Sequence, residues 1–441
     1  MYRDTAERML RFIDNNPTAF HVVESMRSEF LEKGYEELME SRRWSLKPGG
    51  KYFVCRNGSS MIAFHTGKQG GSCHFHITAA HTDSPAFKIK ERAELSAGKK
   101  YVRLNTEGYG GMICSSWMDR PLSIAGRVLV KQNDGTISSE LLDFQRDMVL
   151  IPNVAIHMNR KINEGFAYNK QVDMMPLFSC PEKEDGKAQL IPLIADELNT
   201  DEDNILGSDL YVYNNEHPSI WGRSKEFISA PRLDDQECVF AAMTALLETE
   251  PASGVINVMA CFDNEEVGSG TKQGADSTFL YDVLRRAGNA LGMDEEDYYT
   301  ALAGSFMLSA DNAHAVHPNH PEHTDTENCV YMNEGVVIKS HAGQKYTSDG
   351  LSIALVKELA KRADVPVQYF VNRSDKAGGS TLGNISVGHV SLNAADIGLA
   401  QLAMHSAYET AGAEDVLHLV RLMKEFYGSA FEEAAPGRVR I

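Results

Sequence analysis

Residues 255–270 read VINVMACFDNEEVGSG, a largely apolar run that ends in Asp263, Glu265 and Glu266. Eight residues are few for a helix and enough for a strand buried on both faces. Adjacent acids at the end of such a strand are costly to desolvate unless a cation or a proton compensates them. If Glu266 binds a metal ion, its neighbour Glu265 stays free as the proton carrier that activates a water. Glycines 268, 270 and 274 follow in GSGTKQG, but their spacing does not match the phosphate loop G-x-x-x-x-G-K-[ST], so a nucleotide site is not expected there.

Outward from this strand, helical patterns alternate with apolar strands. QECVFAAMTALLETE (236–250) reads as an amphipathic helix before it and LSIALVKELAKRA (351–363) as a helix after it. DVLHLVRLMKEFYG (415–428) carries Val416, Leu419, Val420, Met423 and Tyr427 in one helical stripe. The first 35 residues read as helix broken at Asn15, Asn16 and Pro17. Short strands follow at 52–55, 60–65 and 73–81, bounded by glycine clusters such as GKQGG (67–71). The alternation predicts an α/β protein with a mostly parallel sheet flanked by helices. Between about 86 and 225 strand-like segments such as AGRVLVK (125–131) and polar turns dominate, which predicts an inserted β-rich unit. The acid-rich runs at 181–185 and 294–297 read as solvated loops or helix ends.

Length and composition bound the function. A chain of 441 residues exceeds the usual ~100–200 residues of one domain, and 43% apolar with 24% charged residues is the balance of a globular protein. A net charge of −18 repels phosphate backbones and anionic lipid, so neither nucleic acid nor a membrane is an expected partner. Seven cysteines without a C-x-x-C pair predict free thiols in a reducing compartment. The N-terminus lacks the apolar core of a signal peptide, and no window approaches the ~20 apolar residues of a membrane span. A cytoplasmic protein is the expectation.

Other acids and histidines also sit where apolar segments end, which in open α/β sheets is where ligand crevices lie. In HITAAHTDSP (76–85), His81 and Asp83 share one face of an extended segment, although both also read as surface or capping groups. In SAPRLDDQE (229–237), Asp234 and Asp235 precede an apolar helix, where an aspartate either caps the helix or bridges two cations. FMLSADNAHAVHPNHPEH (306–323) runs from an apolar stretch into Asp311 and then His314, His317, His320 and His323. The histidines sit at three-residue intervals in a loop with two prolines and are left unassigned. In QLAMHSAYETAG (401–412), His405 ends an apolar stretch, where a histidine is commonly structural.

Taken in order, His81, Asp234, Glu265 with Glu266, Asp311 and His405 resemble the aspartyl aminopeptidase family of dinuclear zinc metallopeptidases. The resemblance spans nearly the whole chain through NNPTAFHVV, AAHTDSPAFKIK, IPNVAIHMNR, SAPRLDDQ, FDNEEVGSGTKQGADS, SADNAHAVHPNH, GVVIKSHAGQKY, GGSTLGNI and QLAMHSAYETAG. It implies two zinc ions per chain, with Mn2+ or Co2+ as possible substitutes. His81 and Asp311 would hold one ion, Glu266 and His405 the other, and Asp234 both. Glu265 becomes the general base, and Asp83 orients a metal-bound imidazole. Two such ions contribute +4 against the four charges of Asp234, Glu266, Asp311 and Glu265.

The implied activity is hydrolysis of the first peptide bond of peptides with a free N-terminus, with Asp or Glu preferred there. Lys339 in the V-I-K segment is the candidate partner of the acidic side chain. His157 in VAIHMN is implied as an active-site histidine that touches metal or substrate, or reaches a neighbouring subunit's site. The catalytic domain is expected at 1–88 plus 226–441, with 89–225 as the inserted subunit-contact domain of a tetrahedral dodecamer. PEHTDTENCVYMNEG (321–335) and NRSDKAGGSTLG (372–383) depart from the pattern of eukaryotic members, which bears on side-chain preference. The rival readings are a broad or lysine-preferring aminopeptidase, a deacylase or carboxypeptidase of the same chemistry, and a catalytically silent assembly or cargo protein.

Overall fold

The computed structural model describes residues 2–68, 73–98, 100–180, 189–435 and 437–441. The acid-rich run at 181–185 lies outside these residues, as does most of the glycine cluster at 67–71.

The strand Val255–Phe262 is buried at every position. Its side chains nevertheless alternate. Ile256, Val258, Ala260 and Phe262 enter one apolar core, while Met259 and Cys261 enter a second core on the opposite face. A strand covered on both faces needs no polar face, which explains its unbroken apolar character.

Among the described residues, nine strands form this sheet, in the order Glu36–Glu37, Lys51–Arg56, Ser60–Thr66, Val255–Phe262, His74–His81, Phe306–Ala310, Asn393–Gly398, Val336–Lys339 and Val367–Phe370. The sheet is mostly parallel, with antiparallel joins at Lys51–Arg56/Ser60–Thr66, Ser60–Thr66/Val255–Phe262 and Asn393–Gly398/Val336–Lys339. Helices Tyr2–Asp14, Leu233–Glu248, Gly350–Arg362 and Asp415–Gly428 pack on one face, and Phe279–Ala290 and Glu295–Ala303 on the other. Asp294 caps the last of these through a capping box, so the acid run at 294–297 is a helix start.

The helix Leu233–Glu248 differs from its amphipathic expectation, being buried continuously from Leu233 to Leu246. It lies on the strand His74–His81 and is itself covered by helices Tyr2–Asp14 and Asp415–Gly428. Two layers of cover bury polar residues Asp234, Asp235, Gln236 and Glu237 as well.

The strand Ala86–Ala97 carries the chain into a second, six-stranded sheet with Tyr101–Tyr109, Leu122–Lys131, Ile137–Asp143, Leu177–Ser179 and Ile205–Asn214. This sheet has its own core around Phe87, Trp117, Ile124, Val128 and Val212. A third sheet ties Ser219–Trp221 and Phe227–Ala230 to Glu409–Gly412, Ala400–Leu402 and Ala313–His314. All seven cysteines are free. Among the described residues no helix is long and apolar enough to cross a membrane.

Candidate metal centre

Register decides where the acids meet. Phe262 pairs with His81, and Ser309 with Ala79, so three parallel strands end side by side. The chain leaves them as His81 to Asp83, Asp263 to Glu266, and Asp311. Asp234 arrives from the start of the helix Leu233–Glu248, and His405 from the loop between Ala400–Leu402 and Glu409–Gly412.

Asp234 sits at the centre of the group. Its Oδ1 lies 3.4 Å from His81 Nε2, its Oδ2 lies 3.4 Å from His405 Nε2, and Glu266 Oε2 is 3.2 Å from the same His405 nitrogen. Donor atoms of His81, Asp234, Asp235 and Asp311 fall within 4.8 Å of one another, as do those of Asp234, Glu266 and His405. One carboxylate therefore faces two donor clusters, one through each oxygen. A third group joins His81 to Glu265 and Glu266 at the same separation.

Burial makes this concentration of acid expensive. Asp234 Oδ1, Asp235 Oδ1 and Glu266 Oε1 are buried without a hydrogen-bond partner, a state that costs roughly 1–3 kcal/mol per group, and more when charged. Burial pushes the Glu266 carboxyl well above its usual range, with Asp234 adding repulsion. Burial likewise raises Glu265 to about 8; His81 opposes the shift, while Asp311, Asp83 and Asp234 add to it. Against the upward push of burial, the imidazoles of His405 and His81, each 3.4 Å from one of its oxygens, hold Asp234 low. Two imidazoles and a set of carboxylates without thiolate are a donor set that suits zinc, and cations at the two clusters would satisfy the orphaned oxygens. The residues present fit such ions.

Neither aspartate of the Leu233–Glu248 helix caps it. Both have non-helical backbone angles, and no side chain caps that end. Asp235 Oδ2 instead accepts the backbone N–H of His81 at 3.1 Å. Glu409 accepts the N–H of Asp234 at 3.0 Å and that of His405 at 2.7 Å, tying two donors of the centre to one side chain. Glu409 stands four residues beyond His405 in QLAMHSAYETAG, a proximity that could have drawn attention to it.

Asp83 touches the centre in two ways, one at the His81 imidazole and a second that the sequence did not suggest. His81 Nδ1 lies 3.0 Å from the Asp83 backbone carbonyl and 3.5 Å from its carboxylate. The carboxylate accepts the N–H groups of Glu265 and Glu266, both at 3.1 Å, and the Tyr109 hydroxyl at 2.6 Å. Asn264 donates to the same hydroxyl at 2.9 Å. Tyr109 belongs to the second sheet, so the β-rich layer reaches into the turn that carries the two glutamates. Nothing in the sequence pattern pointed to it. Burial and the Asp83 charge raise its phenol, which stays protonated and able to donate.

Lys339 is buried at 1% exposure, and its ammonium donates to the carbonyl of Asp311 at 2.7 Å with the Asp311 carboxylate 3.7 Å away. Against the cost of burial, the Asp311 charge raises its pKa. Its strand lies beside Asn393–Gly398, where a Cβ on Gly398 would collide with the Asp311 carbonyl oxygen. A second bond runs to the Asn312 carbonyl at 3.3 Å, so the geometry makes Lys339 the counter-charge behind Asp311, with its donors turned to residues 311 and 312. His157 is exposed, and no metal-capable group among the described residues includes it. His317, His320 and His323 are exposed as well.

With this geometry in view, comparison with known proteins identifies the chain. The family described as Aminopeptidase I zinc metalloprotease (M18) matches residues 12–427. The chain belongs to the M18 family. A probable M18 family aminopeptidase 2 of Clostridium acetobutylicum is 46% identical over 429 residues, covering 96% of this chain and 98% of that protein. The cryo-EM structure of the Ape4 and Nbr1 complex superposes with a TM-score of 0.93 at 35% identity, over 97% of this chain and 86% of that one. The S. cerevisiae mApe1 dodecamer gives 0.82 at 28% identity over 97% of each chain. The M18 chain is accordingly a zinc-dependent aminopeptidase, a hydrolase of peptide bonds.

The Tyr109 link carries a test. Tyr109→Phe removes one donor from Asp83 and loosens the turn bearing Glu265 and Glu266; loss of an outer partner of this kind typically costs about 10–100-fold in activity or metal affinity. The expected result is a drop of that size in kcat/KM with unchanged thermal unfolding. Full activity in the variant would show that the turn holds itself.

Proposed function

We propose that this M18 enzyme removes N-terminal Asp or Glu from unblocked peptides, using two zinc ions held at the clusters on either side of Asp234. The observation that carries the reading is the pair of 3.4 Å separations from the two oxygens of Asp234 to two different histidines. His81 and Asp311 would hold one ion, His405 and Glu266 the other, and Asp234 both. When bound, such ions polarise a carbonyl and acidify water in the site.

The chain's own groups do the rest. Glu265 is the general base that takes the proton of the attacking water and then delivers it to the nitrogen of the leaving amine, so the cleaved bond gains one hydroxyl on carbon and one hydrogen on nitrogen. Burial and acidic neighbours raise its carboxyl, which suits a base working near neutrality, and cations on those neighbours would relieve part of the repulsion. Asp83, through its two backbone hydrogen bonds, fixes the turn from which Glu265 projects. With two ions set against four carboxylate charges the centre is near neutral, and a free amino group seated close to it would confine cleavage to the first residue. Because the ammonium of Lys339 is directed at Asp311, its influence on the preference for acidic residues would run through that carboxylate.

Self-association is part of the same proposal. Val154, Ile156 and Met158 are 53%, 48% and 82% exposed around His157 in the stretch between Ile151 and Ile162. Exposed apolar side chains this close together mark a contact surface. We assign the insertion, 89–225, to subunit contacts of a dodecamer like that of mApe1, with His157 carried toward a neighbouring site and the catalytic residues lying in 1–88 and 226–441.

Two experiments test these statements. Glu265→Gln should abolish hydrolysis of Asp-peptides, by roughly 100-fold or more, while metal content stays equal to that of the native enzyme, and the native enzyme should cleave free but not N-acetylated peptides. Retained activity would remove Glu265 from its role, and faster cleavage of Lys- or Leu-peptides would remove the acidic preference. Ile156→Asp with Met158→Asp should shift the sedimenting species to smaller assemblies; an unchanged sedimentation profile would place the interface elsewhere.

A further inference from the structure

The segment His317-Pro318-Asn319-His320-Pro321-Glu322-His323 repeats histidine every third residue, and the backbone gives that spacing a geometric meaning. His320 N donates to the His317 carbonyl at 3.1 Å and His323 N to the His320 carbonyl at 3.2 Å, two successive three-residue turns. Pro321 to His323 form a short 3₁₀ turn. In 3₁₀ geometry, side chains three apart eclipse one another. The imidazoles accordingly line up along one side, tilted against one another, with ring centroids 5.3 Å apart for His317 and His320 and 5.7 Å for His320 and His323.

Several contacts hold the loop in this shape. Prolines 318 and 321 fix two backbone torsions, the Thr324 hydroxyl donates to the Pro321 carbonyl at 2.8 Å, and the Arg373 guanidinium donates to the Glu322 carbonyl. The Glu322 carboxylate is thereby brought 3.0 Å from His320 Nδ1. Donor atoms of His320, Glu322 and His323 lie within 4.8 Å of one another, and all three residues are exposed. His317 accepts the Asn319 N–H on Nδ1 at 3.2 Å, which leaves its Nε2 available.

We propose that His320, Glu322 and His323, with His317 beside them, form a surface site for a divalent transition-metal ion of the Zn2+ or Cu2+ type, distinct from the catalytic pair. Imidazole with one carboxylate is a donor set these ions favour over Mg2+ or Ca2+. The site shares no residue with the clusters around Asp234. Being exposed, it pays little to desolvate its donors and exchanges its ion with solvent, whereas the catalytic donors are largely buried. The consequence is a third, exchangeable equivalent of metal per chain.

The test compares the native enzyme with His320→Ala/His323→Ala and with His217→Ala. His217 is an exposed histidine, 84% accessible and 3.0 Å from Asp14, that has a carboxylate but no second imidazole in its group. Each protein is equilibrated with Zn2+ and its bound metal counted by elemental analysis. A parallel sample titrated with Cu2+ is read by electron paramagnetic resonance. The native chain and His217→Ala should bind one equivalent of Zn2+ more than the double variant. They should also show a Cu2+ signal with nitrogen hyperfine structure that the double variant lacks, while all three cleave peptides at the same rate. Equal Zn2+ counts, or a Cu2+ signal that survives in the double variant, would overturn the proposal. So would a lost equivalent accompanied by lost peptidase activity, since it would assign the missing ion to the catalytic centre.

Discussion

Buried negative charge is the constraint around which this fold is organised. Where the strands His74–His81, Val255–Phe262 and Phe306–Ala310 end, Asp234, Asp235, Glu266 and Asp311 crowd into a space that leaves three of their oxygens with no hydrogen-bond partner. An apolar sheet covered on both faces cannot tolerate that arrangement for its own sake, because each unpaired charge opposes folding. It becomes favourable when cations enter. The two histidines approach Asp234 from opposite oxygens, so cations held as we propose would divide the charge compensation between two positions instead of one.

The surroundings hold that division in place. Glu409 fixes the backbone of Asp234 and of His405 together, and Asp235 fixes that of His81. Lys339, buried behind Asp311, supplies a permanent positive charge on one side only. Tyr109 extends from the second sheet to Asp83 and so to the amides of Glu265 and Glu266. The inserted layer is therefore mechanically joined to the centre.

Much of this was legible in the chain. Val255–Phe262 and Asp415–Gly428 fall where the apolar run and the helical stripe put them, because burial on both faces and burial on one stripe leave distinct periodicities. The acids at strand ends stood out for the same reason, being polar groups where desolvation is costly. Helix Leu233–Glu248 was misread as amphipathic because its polar positions, Asp234 to Glu237, are buried, and hydropathy cannot report a polar residue whose partners lie far away in sequence. Tyr109 reaches the Asp83 carboxylate, and Glu409 and Asp235 reach backbone amides, only through folding. Although Glu409 stands near His405 and Asp235 beside Asp234 in sequence, no local pattern announces these contacts. Lys339 was identified as a residue of interest, but its direction, toward Asp311, depends on the packing of two adjacent strands.

The division of charge at Asp234 is the central claim, and anomalous X-ray scattering from crystals of the zinc-loaded enzyme at the zinc absorption edge tests it most directly. The account predicts two strong peaks flanking Asp234, one beside Oδ1 with His81 and Asp311 and the other beside Oδ2 with His405 and Glu266. A single peak, or density that leaves either histidine without an ion, would contradict it.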